Sequence, residues 1–84
     1  MKILKYKILN ELELPVNTTL LDVNVQDNTM VLWALVNTME PNTELYSFQV
    51  IRTGRDITFN ISEWVYLKTV ETSVGIWHVW YKKQ

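Results

Sequence analysis

Residues 20–26 read LLDVNVQ and alternate apolar with polar side chains. Successive side chains of a β-strand point to opposite faces, so this period of two is typical of a strand with one buried face. The pattern places three apolar side chains inward and three polar ones in solvent: Leu21, Val23 and Val25 against Asp22, Asn24 and Gln26. We therefore predict a half-buried strand, and the rest of the fold is built outward from it.

The next run, residues 30–36, reads MVLWALV and is apolar throughout. Such a run fits either a buried helix turn or a strand that is covered on both faces. The run is short, and the polar residues 27–29 before it are typical of a turn between strands. We predict a strand with both faces covered.

The same alternation recurs on both sides of these two strands. Further strands are predicted at residues 2–9, with the pattern continuing through Leu12 and Leu14 to Pro15, and at residues 44–52, 64–70 and 76–81. Residues 57–61 fit a short strand or a bent connection. Gly54 permits the positive φ that a tight turn at residues 53–56 needs.

No window of about ten residues shows the three- and four-residue apolar spacing of a helix. The predicted fold class is all-β, a small antiparallel barrel or sandwich of about six to seven short strands. We expect the basic first and last strands to lie near each other, because small β folds cover their edges.

The chain has 84 residues, of which 48% are hydrophobic and 20% charged. A chain of this length forms one domain, residues 1–84, and its composition lies outside the disordered range. A core of this size supplies little net stability, and exposed strand edges are costly to leave in water. We therefore expect a single β domain that forms a homo-oligomer.

Cysteine is absent and His78 is the only histidine, so disulfides are excluded and a zinc site lacks ligands. Two glycines cannot form a phosphate-cradling loop. The N-terminus has no signal-peptide core or cleavage site, and no apolar run approaches the ~20 residues of a membrane span. We expect a cytoplasmic protein with no metal, no other cofactor and no membrane partner.

The formal net charge of −1 hides an uneven distribution. Between Ile8 and Ile51 there is no Lys, Arg or His, and the basic residues lie nearer the chain ends. Non-specific nucleic-acid binding draws on many basic side chains, so no nucleic-acid partner is expected. Two interpretations stay open: the charges mark surfaces for an anion, a host protein or another subunit, or they are solvated charges that prevent edge aggregation.

Catalysis is not expected from this set of residues. His78 is the only histidine that could act as a base, and none of the three serines lies in a turn that would expose a nucleophile. Glu11 and Glu13 have the positions of solubilising residues on a strand edge rather than of an acid–base pair. We therefore predict that the chain is not an enzyme.

A group of aromatic and cationic side chains remains near the end of the chain. Arg52 and Arg55, the only arginines, flank Thr53 and Gly54. Aromatic planes that stack on a base, together with Arg forks that grip phosphate, suit a nucleotide-like ligand. The candidate ligand-binding residues are Arg52, Thr53, Gly54, Arg55, Trp77, His78, Trp80 and Tyr81.

The alternation along residues 76–81 divides this group between two faces of a strand. One face carries Trp77, Val79 and Tyr81, and the other carries Ile76, His78 and Trp80. The competing interpretation is that all four tryptophans, Trp33, Trp64, Trp77 and Trp80, fill the core and that His78 is a hydrogen-bonded histidine of the sheet.

Arg52 is the candidate on which we place most weight. Alternation puts it on the face of Tyr46, Phe48 and Val50, so it would emerge at the end of the apolar face. Arg52→Ala is expected to weaken binding of an anionic ligand and to leave the stability of the unliganded protein unchanged. Arg55 is expected to be more exposed.

The motifs LWALV at residues 32–36 and WHV at residues 77–79 occur in a distinctive order and separation. Together with Lys5-Tyr6, Leu14-Pro15, residues 20–26 and Thr53-Gly54, they resemble a family of short uncharacterised proteins encoded by tailed bacteriophages. The resemblance covers nearly the whole chain. It implies a phage origin and a β-rich fold.

The resemblance also shapes the expected function, by analogy. Small non-catalytic phage proteins often bind host factors or trap the nucleotide-derived signals of bacterial immunity. We expect an anti-defence sponge that sequesters a cyclic dinucleotide or a signal of the cyclic ADP-ribose type in a pocket at an oligomer interface. The alternative is an inhibitor or structural module that binds a host or phage protein.

Overall fold

The computed structural model describes all 84 residues and consists of seven β-strands and one 3-10 turn. The elements are β1 (Lys2–Lys7), β2 (Glu11–Pro15), β3 (Thr19–Gln26), β4 (Thr29–Val36), β5 (Thr43–Arg52), the 3-10 turn (Ile61–Glu63), β6 (Val65–Thr72) and β7 (Gly75–Lys83). The predicted all-β class is confirmed, and the arrangement is that of a sandwich. The structure holds no helix of the length and apolarity that crossing a membrane requires.

The strands pair antiparallel in two sheets. The smaller sheet has the order β1-β4-β3, and the larger has the order β2-β5-β7-β6. β3 lies against β6, where Lys68 Nζ is 2.5 Å from Asp22 Oδ1. Because β3 and β6 close one side of the sandwich, β1 and β2 lie on the other side, each at the free edge of its sheet.

The chain crosses from the smaller sheet to the larger at residues 8–10. Ile8 N donates to Met30 O at 3.0 Å, and Asn10 O accepts from Phe48 N at 2.9 Å. The alternation of side chains continues through this bend, so inward positions in β1 are followed by inward positions in β2, including fully buried Leu14. One uninterrupted sequence pattern therefore forms two strands in different sheets.

The core lies between the sheets and is built from the inward faces of both. Nine buried residues form it: Leu14, Val23, Leu32, Ala34, Val36, Tyr46, Phe48, Val70 and Val79. No charged residue is buried. Removal of apolar surface from water is the main stabilising effect here, so groups capable of chemistry lie at the surface or in gaps between the sheets.

β3 departs from the predicted alternation at Leu21. The pairing with β4 shifts between Leu20 and Asp22, which is a β-bulge. The additional residue turns Leu21 outward, where it is 46% exposed, and Leu20 packs against the core instead. The predicted inward position of Leu21 is wrong, whereas Val23 is fully buried as predicted.

β4 is covered completely on one face only. Leu32, Ala34 and Val36 are fully buried, but Trp33 on the outer face is half-buried beneath Lys5, whose Nζ lies 5.8 Å from the ring centroid. The strand assignment is confirmed. The prediction that both faces are covered is wrong at Trp33, because no further layer packs on the smaller sheet.

Two expectations about the arrangement are settled by the strand order. β1 is an edge of the smaller sheet, while β7 lies between β5 and β6 in the larger, so the expected proximity of the first and last strands is wrong. Residues 57–61 form a bent connection and not a strand. The turn before it has Gly54 at a φ of +94°, which confirms the positive value predicted there.

Candidate functional site

The two faces predicted for β7 are confirmed. Val79 is fully buried between the sheets, and Trp77 and Tyr81 point the same way. His78 and Trp80 lie on the outer face of the larger sheet. The predicted site residues therefore form two separate groups in one molecule, on opposite faces of the sheet.

On the inner side, the sheets leave an opening that we call the inter-sheet cleft, of about 440 Å³. Its lining residues are Val25, Asn28, Met30, Val50, Thr72, Ser73, Val74 and Trp77. Most of these are apolar, Trp77 supplies a wide aromatic surface, and none is acidic or basic. Clefts of this size and character are typical of small-molecule sites.

Arg52 lies beside the cleft and is held against two of its lining residues. It pairs with Trp77 across β5 and β7, and its guanidinium carbon is 5.7 Å from the Trp77 ring centroid. Its Nη2 donates to Val74 O at 2.6 Å. Gly75 makes room for this arrangement, because a Cβ there would lie 2.7 Å from Arg52 Nε.

The turn after Arg52 is closed by backbone hydrogen bonds. Arg55 N donates to Arg52 O at 3.1 Å, and Thr53 N donates to Ile76 O at 2.9 Å. The Arg55 side chain is exposed, as expected, and forms no hydrogen bond or ion pair. Arg52 is thus fixed by its surroundings, and Arg55 is not.

On the outer face, the His78 ring is held between two threonines. Thr53 Oγ1 is 2.7 Å from Nε2, and Thr69 Oγ1 is 2.9 Å from Nδ1. Thr69 in turn bonds to the Tyr66 hydroxyl. No carboxylate contacts the ring, so the third group of a nucleophile–base–acid arrangement is missing.

Trp80 belongs to a group of rings that we call the outer aromatic cluster, consisting of Phe59, Trp64, Tyr66, His78 and Trp80. Phe59 and Tyr66 meet Trp80 edge-on, at centroid distances of 5.6 and 5.4 Å, and Phe59 also packs on Trp64 at 5.3 Å. Edge-to-face pairs of this kind are favourable, so the cluster anchors the connection that contains Phe59 to the sheet.

Tyr81 lies in a second hollow, of about 300 Å³, which it lines with Tyr46 and Lys83 among others. It is four residues from Trp77 along β7, about 13 Å at the rise of a strand. Burial raises the pKa of the neighbouring Tyr46 hydroxyl above its usual value. Tyr81 is therefore not part of the inter-sheet cleft.

No cluster of three or more His, Asp or Glu side chains in the structure is placed to hold a metal ion. The model of a family described as a domain of unknown function, DUF7352, matches residues 1–84. The chain belongs to this family. No curated protein and no solved structure matches the chain.

Sequence reasoning missed several residues of the two groups in this DUF7352 domain. Val74 holds Arg52, and Thr69, Tyr66 and Phe59 contact His78 or Trp80. A signal for Thr69 was present, because counting outward from a two-residue turn at Ser73 and Val74 places it opposite His78. No sequence signal pointed to Phe59, because it reaches the sheet from an irregular connection.

Proposed function

We propose that this chain is a phage-encoded, non-catalytic binding protein that sequesters a nucleotide-derived immune signal, of the cyclic dinucleotide or cyclic ADP-ribose type. The observation that carries the proposal is the Arg52 guanidinium, fixed over Trp77 beside the inter-sheet cleft. The proposed site combines an aromatic surface for a base with a planar set of donors for a phosphate.

The cleft supports this role by its chemistry. Its walls are apolar, and Asn28, Thr72 and Ser73 add polar groups that could read the edge of a base. Because no carboxylate lines the cleft, an anionic ligand meets no like charge among the lining residues. Arg52 uses one of its N–H groups on Val74, which leaves others for bidentate contact with phosphate.

The same lining supports binding without turnover. It contains no His, Asp, Glu, Lys or Tyr, the side chains that most often transfer protons in catalysis. The cleft is also open to solvent, and a second copy of the chain could close it. We therefore place the bound signal in a pocket at an oligomer interface, with Arg52 and Trp77 as its principal contacts.

Calorimetry against cyclic dinucleotides and cyclic ADP-ribose isomers tests this proposal. Arg52→Ala is expected to weaken binding by about 1.5–3 kcal/mol, the worth of a charge-assisted hydrogen bond. Arg55→Ala, which removes the same charge three residues away, is expected to keep full affinity. The ligand should be recovered intact after the protein is denatured. Absence of binding by every candidate, or equal losses in the two variants, would reject the proposal.

A second candidate is an inhibitor or structural module that binds a host or phage protein. It is favoured by unpaired acidic side chains of the central stretch: Glu11, Glu13, Asp27 and Glu40 form no ion pair. Pull-down from host lysate separates the two candidates. A stoichiometric protein partner, together with no small-molecule binding in calorimetry, would favour this second function.

A further inference from the structure

β1 and β2 are the free edges of the two sheets on one side of the sandwich, and the chain reverses direction between them at residues 8–10. In antiparallel pairs, every second residue directs its N–H and C=O toward the neighbouring strand, and the residues between direct theirs away. Ile8, Asn10 and Val16 use their backbone groups within the sandwich. The odd-numbered residues therefore point their backbone groups out of the edge: Ile3, Lys5, Lys7, Leu9, Glu11 and Glu13.

The charges along this edge are arranged symmetrically about Leu9 with opposite signs. Lys7 and Glu11 are each two residues from Leu9, and Lys5 and Glu13 are each four residues from it. All four charged side chains are exposed and none forms an ion pair. Leu9 itself is 51% exposed. The charges of this edge are therefore complementary to those of the same edge in a second copy related by a twofold axis.

We propose that the protein forms a twofold dimer by antiparallel pairing of the β1–β2 edge with the same edge of a second copy, with Leu9 at the axis. Lys7 then lies opposite Glu11 of the second copy, and Lys5 lies opposite its Glu13. Both members of each pair direct their backbone groups toward each other, as antiparallel pairing requires. Opposite charges directly across a strand pair are stabilising.

The same charges disfavour pairing of either strand with its own copy. β1 against β1 of a second copy sets lysine against lysine, and β2 against β2 sets glutamate against glutamate, both of which are destabilising. Pro15 lacks an N–H and ends the pairing at the far end of β2. The dimer joins the smaller sheet of each copy to the larger sheet of the other, so this pair of open edges is covered.

The proposed dimer does not depend on the proposed ligand, but its interface lies close to the inter-sheet cleft. Val50 lines both the inter-sheet cleft and a hollow beside Leu9 and Asn10. The twofold axis at Leu9 therefore brings the corresponding ends of two molecules together. This is the arrangement that a pocket shared between subunits would use.

Sedimentation equilibrium on the full chain and two charge-reversed variants tests the proposal. The unmodified protein is expected to be a dimer at micromolar concentration. Lys5→Glu/Lys7→Glu and Glu11→Lys/Glu13→Lys each set like charges opposite each other, so each should raise the dimer dissociation constant at least about tenfold. An equal mixture restores opposite charges at every pair, so it should form a heterodimer with the affinity of the unmodified protein.

Lys2→Glu/Arg55→Glu is the matched control, because it changes the net charge as Lys5→Glu/Lys7→Glu does and should leave the dimer intact. Formation of the heterodimer also shows that both charge-reversed chains fold. A monomeric unmodified protein, unchanged dimerisation of both variants, or a mixture that stays monomeric would overturn the proposal. Calorimetry measures ligand binding separately, so failure of the dimer is distinguishable from failure of the proposed binding function.

Discussion

Arg52 is exposed to solvent, yet contacts within its own chain hold its guanidinium in place. The bond to Val74 O, the Trp77 ring beneath it and the absence of a side chain at Gly75 fix its position. A side chain that is already ordered loses less conformational entropy when it binds a ligand. The same contacts give Arg52 a structural role that its position in the sequence did not indicate.

The first prediction follows from that structural role. Arg52→Ala should lower the free energy of unfolding of the unliganded protein by about 0.5–1.5 kcal/mol, the net worth of one hydrogen bond. This replaces the expectation from sequence that stability is unchanged. Arg55→Ala should leave it unchanged, since that side chain has no partner. Urea denaturation of both variants measures the difference, and equal stabilities would contradict the assigned contacts.

The second prediction concerns the threonines around His78. Thr69→Val removes the hydroxyl between the His78 ring and Tyr66, and should cost about 0.5–1.5 kcal/mol of unfolding free energy. Thr58→Val is the control, because Thr58 is exposed and its side chain makes no hydrogen bond. Thermal denaturation of the two variants measures this difference in stability. A Thr69 variant as stable as the control would contradict the prediction, since water would then replace these hydrogen bonds at no cost in free energy.

At the scale of elements, the sandwich is closed on one side by the ion pair between β3 and β6. The hydrogen bond from Lys68 lowers the pKa of the Asp22 carboxyl, against the opposing effect of burial. A carboxyl whose pKa is lower in the folded state stabilises that state above its unfolded pKa. The contribution is lost as the pH falls through the lower, folded pKa.

The third prediction is therefore a difference in acid sensitivity. At neutral pH, Asp22→Asn should be less stable than the unmodified protein by at most about 1 kcal/mol, because both side chains of the pair are more than a third exposed and solvent screens their attraction. This difference should shrink toward zero as the pH falls from about 4, near the pKa of an unfolded aspartate, to about 2. Denaturation at several pH values tests it, and a constant difference across this range would argue against the pair.

Alternation along single strands predicted much of this fold. It placed the inward and outward side chains of β7 correctly, and it indicated the all-β class. It could not assign strands to sheets, because the pattern of residues 2–15 looks the same whether the strand is straight or bends from one sheet into the other. The sequence did not predict the bulge at Leu21 either, because the leucines at residues 20 and 21 both fit the inward position.

The candidate site was predicted in composition but not in arrangement. Arg52 and Trp77 do meet, yet His78 and Trp80 lie on the other face of the same strands. Alternation predicted that division of β7, but the meeting of Arg52 with Trp77 depends on the register between β5 and β7. Because β6 and a long connection separate these two strands in sequence, the sequence does not reveal that register. The role of Gly75 was hidden as well, because the space it leaves is filled by a side chain from β5.

For the whole molecule, stability depends on a core that both sheets share. β2 is a five-residue edge strand, and Leu14 is its only fully buried side chain. A small domain has a free energy of unfolding of only about 5–15 kcal/mol, so a single well-placed core residue accounts for a large part of it. Leu14 therefore links the edge of the larger sheet to the rest of the protein.

The fourth prediction compares this leucine with the one in the bulge. Leu14→Ala should cost about 2–5 kcal/mol of unfolding free energy, as large-to-small changes in a core do. Leu21→Ala, which removes the same atoms from a side chain that is 46% exposed, should cost less than about 1 kcal/mol. Comparable losses in the two variants would place the bulge elsewhere.

The order of the strands also decides when each part of a newly made chain can find its partner. Only β3–β4 and β6–β7 are hairpins of consecutive strands, whereas β1 pairs with β4 and β2 pairs with β5. Strands that are distant in sequence pair slowly, because the chain between them must first close into a loop. During synthesis, β1 and β2 leave the ribosome before their partners, and they stay unpaired until β4 and β5 have been made. The lysines of β1 and the glutamates of β2, which alternate with apolar residues, keep this segment hydrated until the sandwich can form.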